Sequence, residues 1–178
     1  MRTEHSDSIE IRHLTESDAQ AFQTLRLHAL RELPEAFGLT YEEERKTSTS
    51  AFNQRFRAEW ISGDNSILGA FSRGQLVGSI GLRRWSREKQ RHKGYIWILY
   101  AEPSFRGYGI GRLLLDAILR YARTLAELEQ IQLSVSADSR QAYSLYVSFG
   151  FEPFGYERHA LKLPDKFVDV ELMALHMR

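Results

Sequence analysis

The sequence contains no cysteine. That removes disulfides, thiolate metal sites and a cysteine nucleophile together, and it fits a reducing cytoplasm. Apolar runs are short. Ile96 to Ala101 is among the longest, far below the roughly 20 residues that a membrane-spanning helix needs. The first ten residues, MRTEHSDSIE, are polar and lack the apolar core of a secretory signal. Charge of one sign is also missing. The formal net charge is +1, so no global field favours nucleic acid or a membrane surface. The six histidines are scattered without H-x-x-x-H or other ligand spacing, and no metal is expected. No repeat, low-complexity tract or Gly/Ser linker divides the chain. What remains is 178 residues, 43% of them hydrophobic. That predicts one cytoplasmic domain spanning residues 1–178, with its core from about residue 9.

Periodicity supplies the elements. Ile9 to Leu14 alternates as a first strand, and T-E-S-D from Thr15 opens a helix like a capping box with Asp in place of Glu. Ala19, Phe22, Leu25 and Ala29 follow at helical spacing until Pro34. A second helical region covers about Thr47 to Trp60, with Phe52, Phe56 and Trp60 on one face. Ser66–Ser72 and Gln75–Arg84 read as strands joined by a tight turn at Arg73-Gly74. The basic stretch Arg83 to Lys93 reads as a solvated connection rather than a nucleic-acid patch. Gly94 to Ala101 (GYIWILYA) is β-prone and apolar on both faces, as a central strand is. Ile110, Leu113, Leu114, Ala117, Ile118 and Tyr121 form the clearest helical stripe. Ile131, Leu133 and Val135 make another strand, Ser139 to Phe149 another helix, and two strands complete the chain around Pro164. Hairpins mixed with strand–helix–strand crossovers predict an α+β fold with a mixed sheet.

The chemistry concentrates at Tyr100 to Ala122. There a strand runs into Arg106-Gly107-Tyr108-Gly109-Ile110-Gly111-Arg112 and opens a helix. Helix N-termini leave main-chain N–H groups unpaired and carry partial positive charge, so such a turn suits an anion. A triphosphate loop would need lysine after the last glycine, where Arg112 stands. The dinucleotide fingerprint G-x-G-x-x-G needs one more residue before Gly111 and an acidic residue about 20 positions later. R-G-x-G-x-G after a strand and a proline is the pattern left, with a ligand-free helix entry as the bland alternative.

Two blocks resemble the GNAT superfamily of N-acetyltransferases. LYAEPSFRGYGIGRLLL is similar to its acetyl-coenzyme A segment, with Arg106, Gly109 and Gly111 at the defining positions. LSVSADSRQAYSLYVSFGFEPFG is similar to its later strand–helix–strand segment, except that Ser139 replaces the usual asparagine. The resemblance implies a central, mostly antiparallel mixed sheet flanked by helices. It implies an enzyme in which an amine attacks the thioester of acetyl-CoA directly. The turn from Arg106 to Arg112, with Gly107, Tyr108 and Ile110 among its residues, would hold the pyrophosphate. Main-chain groups of Leu99, Tyr100 and Ala101, on a strand splayed from its neighbour, would take the pantetheine arm and the thioester carbonyl. Tyr146 would donate to the leaving thiolate. Ser139 and Tyr143 would touch coenzyme A, with helix capping as the alternative for Ser139.

Some relatives carry a glutamate on the strand before the tyrosine helix, but here that strand reads Leu133-Ser134-Val135-Ser136. Glu102 and Glu42, Glu43 and Glu44 read as solvated acids rather than bases, and the acidic run would suit a cationic acceptor. Phe154, Tyr156 and His159 fall on the acceptor side in relatives. The expected partners are acetyl-CoA and a small-molecule or protein amine, and the resemblance also allows a homodimer. A non-catalytic acyl-CoA-binding module of the same fold is the alternative function.

Overall fold

Alternating apolar residues become the strands of one sheet in the computed structural model, which describes residues 8–177. Most of the polar amino-terminal stretch read above for a signal therefore lies outside the described residues. The strands are β1 (Ile9–His13), β2 (Ser66–Ser72), β3 (Gln75–Arg84), β4 (Lys93–Ala101), β5 (Gln130–Ser136), β6 (Glu152–Lys162) and β7 (Phe167–His176). They lie in the order β1-β2-β3-β4-β5-β7-β6. Every neighbouring pair is antiparallel except β4 and β5. The expected α+β architecture is what the chain adopts. Arg73 and Gly74 both have positive φ, as a two-residue hairpin turn requires.

Two apolar layers cover the sheet. Helix α1 (Ala19–Glu32), the short α2 (Tyr41–Glu44), α3 (Thr49–Arg55) and a π-helical turn (Phe56–Trp60) form one side. Phe22, Phe52, Phe56 and Trp60 are buried there and pack edge-on or tilted, except that Phe52 and Phe56 stack, with ring centroids 5.5–6.4 Å apart. The Phe52/Phe56/Trp60 face is thus core, although the helix expected over it starts two residues later and widens into the π turn. The other layer is α4 (Ile110–Thr124), whose buried residues are Ile110, Leu114, Leu115, Ile118, Leu119 and Ala122. The stripe expected through Leu113 is rotated by about one residue. Leu113 is 43% exposed and Leu115 is buried in its place. Leu113, Leu114 and Leu115 are consecutive, so hydrophobicity alone does not fix which two of them face the sheet.

β4 is not uniformly buried on both faces. Its register against β3 skips one residue, from Leu82↔Ile96 to Gly81↔Ile98. That makes Trp97 the extra residue of a bulge, and Trp97 and Ile98 both point to the α1 layer while Leu99 returns to the α4 layer. The indole lies directly on Gly81, where an added Cβ would come within 2.5 Å of the ring. Only glycine fits under it. The bulge re-aims the last four residues of β4, and those residues border the site.

Candidate active site

β4 and β5 are paired only at Lys93↔Gln130, Gly94↔Ile131 and Tyr95↔Gln132. Beyond Tyr95 the strands separate, and the edge of β4 that faces β5 has no strand partner from Ile96 to Ala101. The splaying implied by the resemblance is present. A cavity of about 630 Å³ fills one side of the gap, between the end of β4, the glycine turn and helix α5 (Arg140–Ser148). A second cavity, of about 380 Å³, lies against Trp97, Ser136 and the loop after α1. Leu33, Leu99, Ser139, Ala142 and Tyr146 line both, so the two cavities meet at Tyr146.

The turn is shaped for an anion. Gly109 is the N-cap of α4 at φ +74°, and Gly107 has φ +85°. Both are left-handed conformations that glycine alone adopts cheaply. An added Cβ at either would meet nothing within 4 Å, so the main chain is open on that side. None of the main-chain N–H groups from Gly107 to Arg112 donates to an acceptor among the described residues. Leu113 N–H is the first to be satisfied, at 3.0 Å from the Gly109 carbonyl. That leaves a row of donors at the positive end of a 15-residue helix.

Most of the residues expected at this site lie together. Leu99, Tyr100, Ala101, Arg106, Gly107, Gly109, Ile110, Gly111, Arg112, Ser139 and Tyr146 border the larger cavity. Two do not. Tyr108 is 61% exposed and turns its ring to Phe105, and Tyr143 packs against the α4 core. Gln141, Ala142, Ser144, Leu145 and Tyr146 line the cavity from α5, an arc that leaves out the direction in which Tyr143 points. Ser139 holds the N-cap position of α5, but its side chain makes no capping bond and instead borders both cavities. Arg106 is drawn back into an ion pair with Glu32, which also accepts a 2.6 Å hydrogen bond from the Tyr100 hydroxyl. Arg112 donates to Ser148 Oγ at 3.0 Å, with its guanidinium over Phe149.

Tyr146 is 6% exposed, and its hydroxyl has no hydrogen-bond partner among the described residues. Burial, helped by the neighbouring Tyr95, pushes its phenol above the ordinary value of 10. It is therefore protonated throughout the physiological range, a donor facing the junction of two cavities.

The carboxylates are arranged differently from expectation. Glu44 is 1% exposed rather than solvated. Its oxygens accept from Arg26 Nε at 2.7 Å and from Arg55 Nη2 at 2.8 and 3.0 Å. Glu102 is bonded to His28 Nδ1 at 2.9 Å and borders neither cavity. Glu35, which the sequence did not single out, is the carboxylate that borders the smaller cavity. Phe154 and Tyr156 are more than half exposed and His159 stacks on Phe167, so none of the three shapes either cavity. Arg26 was missed too, although a signal was present. With Phe22, Leu25 and Ala29 it completes an i, i+3, i+4, i+7 stripe, so a charge stood on an apolar face.

A family model for the acetyltransferase (GNAT) family matches residues 27–151. The chain is 35% identical over 103 residues to the N-alpha-acetyltransferase RimI of Mycobacterium tuberculosis, a match covering 58% of this chain and 62% of that protein. It is 26% identical over 148 residues to the mycothiol acetyltransferase of Propionibacterium freudenreichii, covering 82% of this chain and 43% of that one. The matches thus span less than two thirds of these relatives' own length. Among solved structures, an acetyltransferase of the GNAT family from Streptococcus pneumoniae superposes with a TM-score of 0.82 at 23% identity, covering 96% of this chain and 100% of that one. The protein yncA of Salmonella typhimurium, solved with its cofactor acetyl-CoA, also gives 0.82, at 20% identity, with 96% and 95% covered. At those identities the likeness is one of fold.

Proposed function

The chain belongs to the acetyltransferase (GNAT) family, and from that premise we propose that it moves the acetyl group of acetyl-CoA to a primary amine by direct attack on the thioester. The observation that carries the reading is the meeting of the two cavities at Tyr146, beside a strand edge left without a partner. The larger cavity suits the cosubstrate. Free N–H groups from Gly107 to Arg112 would hold the pyrophosphate, aided by Arg112. Arg106 would do so after leaving Glu32. The open edge of β4 from Leu99 to Ala101 would bond the pantetheine amides and polarise the thioester carbonyl as negative charge develops on its oxygen.

The amine enters from the smaller cavity. Its nitrogen adds to the carbonyl carbon, the C–S bond breaks, and the Tyr146 hydroxyl donates a hydrogen bond or proton to the departing sulfur. The amine proton leaves through water or through Glu35. Ser139, which borders both cavities, would contact the cosubstrate arm. Tyr108 and Tyr143 have no part in this arrangement. The reading also takes residues 1–178 as one cytoplasmic acetyltransferase domain, supported by the single sheet and the lack of cysteine. No helix among the described residues is long and apolar enough to cross a membrane. A homodimer, if formed, would use the exposed edge strand β6.

Calorimetric titration with acetyl-CoA, followed by thiol release in the presence of an amine panel, tests the proposal. Binding with amine-dependent release supports transfer. Binding with no release from any amine would leave an acyl-CoA-binding module instead.

A further inference from the structure

The smaller cavity is electrostatically unusual. One buried carboxylate, Glu44, lies between two guanidinium groups, Arg26 and Arg55, so the cluster carries an excess positive charge. The side chain of Arg55 is 30% exposed and partly solvated, whereas that of Arg26 is only 9% exposed. Arg26 uses Nε on Glu44, and its two terminal nitrogens bond to no described residue. Arg26 borders the cavity, with its guanidinium carbon 5.3 Å from the Trp60 ring centroid and 5.5 Å from that of Trp97. Two further polar groups in the same lining are buried without a partner, Trp97 Nε1 and Ser136 Oγ. Ser136 is 6% exposed. A buried hydroxyl or a guanidinium edge without a partner is unfavourable until a ligand pairs with it. Arg26 is the cation in the wall of this compartment with Ser136 beside it, Glu35 supplies the opposite charge, and Trp97 Nε1 lies against Gly81 instead.

Resting on the acetyl-transfer reading, we infer that the acceptor is a small zwitterion of the amino-acid class, held through its carboxylate by Arg26, with Ser136 in the wall beside it. This reverses the cationic acceptor that the acidic run Glu42–Glu44 suggested, because Glu44 is already neutralised. A planar carboxylate matches the two parallel N–H groups of a guanidinium. The cavity of about 380 Å³ has room for a free amino acid. With the carboxylate at Arg26, the amine lies toward Glu35 and Tyr146, where the cavities join.

The test uses matched pairs, each L-amino acid against its own α-carboxamide, which keeps the amine and removes the anion. The first readout is thiol release with saturating acetyl-CoA. The second is the thermal shift of the CoA-loaded protein, which needs no turnover. The acids are expected to exceed their amides by at least about tenfold in kcat/KM, and to stabilise the protein where the amides do not. Arg26→Gln is the variant of choice, because Glu44 keeps its ion pair with Arg55 at 2.8 and 3.0 Å and no buried carboxylate is stranded. It should still bind acetyl-CoA, confirming its fold, and bring each acid down to its amide.

Equal turnover or equal shifts for acid and amide in the natural protein would overturn the inference, as would a preference that survives in Arg26→Gln. If amines lacking a carboxylate are the better substrates, acetyl transfer stands and only this inference falls. If acetyl-CoA itself does not bind, the underlying reading falls first.

Discussion

Replacing Tyr146 with phenylalanine separates chemistry from folding with little ambiguity. The hydroxyl makes no hydrogen bond to a described residue, so removing it orphans no donor or acceptor. The ring keeps its edge contact with Phe151 at 5.8 Å. The hydroxyl opens on the cavities and is not among the buried unpaired atoms, so its loss should change stability by under about 1 kcal/mol, and the melting temperature should move by no more than a few degrees. The larger cavity keeps its glycine turn and its open strand edge, so acetyl-CoA affinity should hold within about threefold. Only the departing sulfur loses something, a positioned donor worth about 10² to 10⁴ in rate, or roughly 3–5 kcal/mol of barrier. The pH profile sharpens the test. Burial raises the phenol above its ordinary value of 10, so the natural protein should lose no activity through tyrosine ionisation up to about pH 10. The assay is thiol release under saturating acetyl-CoA, with calorimetry for affinity. A variant as fast as the natural protein would refute the role given to Tyr146. A variant that loses acetyl-CoA binding would show that the tyrosine shapes the cleft instead.

Other consequences can be measured directly. Gly109→Val places a branched side chain at φ +74°, which costs about 1–2 kcal/mol in backbone strain, and it points the new methyls into the open side of the turn. Acetyl-CoA binding should weaken by at least about tenfold in calorimetry, with a smaller loss of melting temperature. Glu44→Ala leaves two guanidinium groups facing each other without their carboxylate. It should cost about 3 kcal/mol, the lower end for a broken buried pair because Arg55 is partly solvated, and urea unfolding gives the value. Asp18 is bonded by both terminal nitrogens of Arg12 at 2.8 and 2.9 Å, which holds its carboxyl at about 2, against an ordinary 3.8. A depressed carboxyl stabilises the fold above its ordinary value, and that contribution is lost as pH falls from 3.8 toward 2. With Arg12 39% exposed, solvent screening reduces it to about 1–2 kcal/mol. Asp18→Asn should show that loss at pH 7 and converge with the natural protein near pH 2.

Much of this was legible because it is local. Strand alternation, the Arg73-Gly74 hairpin and the glycine turn depend on residues a few positions apart, and their periods survive without tertiary context. The open edge of β4 and the position of Tyr146 could be read only through resemblance, since splaying follows from pairing between distant strands. What escaped reading was set by contacts across long separations. Glu44 is buried because Arg26 and Arg55, 18 and 11 residues away, close on it. Arg106 faces Glu32, 74 residues earlier, rather than the turn it begins. Leu113 and Leu115 compete for the same face of α4, and the sheet decides between them. Trp97 takes its direction from one skipped register position, which strand alternation does not reveal.

The short pairing of β4 with β5 has a mechanical meaning. Three residue pairs are all the strand pairing between β1–β4 and the β5-β7-β6 half. What spans the two halves is one apolar cluster, in which the buried residues of α4 lie with Leu68, Ile80 and Ile96 from the first half and Ile131, Leu133 and Met173 from the second. The unity of the sheet therefore rests on side-chain packing more than on strand pairing. Helix α4 presents its first turn to the larger cavity, so a ligand seated there would brace one wall of that shared cluster. Amide exchange should detect this as added protection along β5 and β7, strands that the ligand itself need not touch.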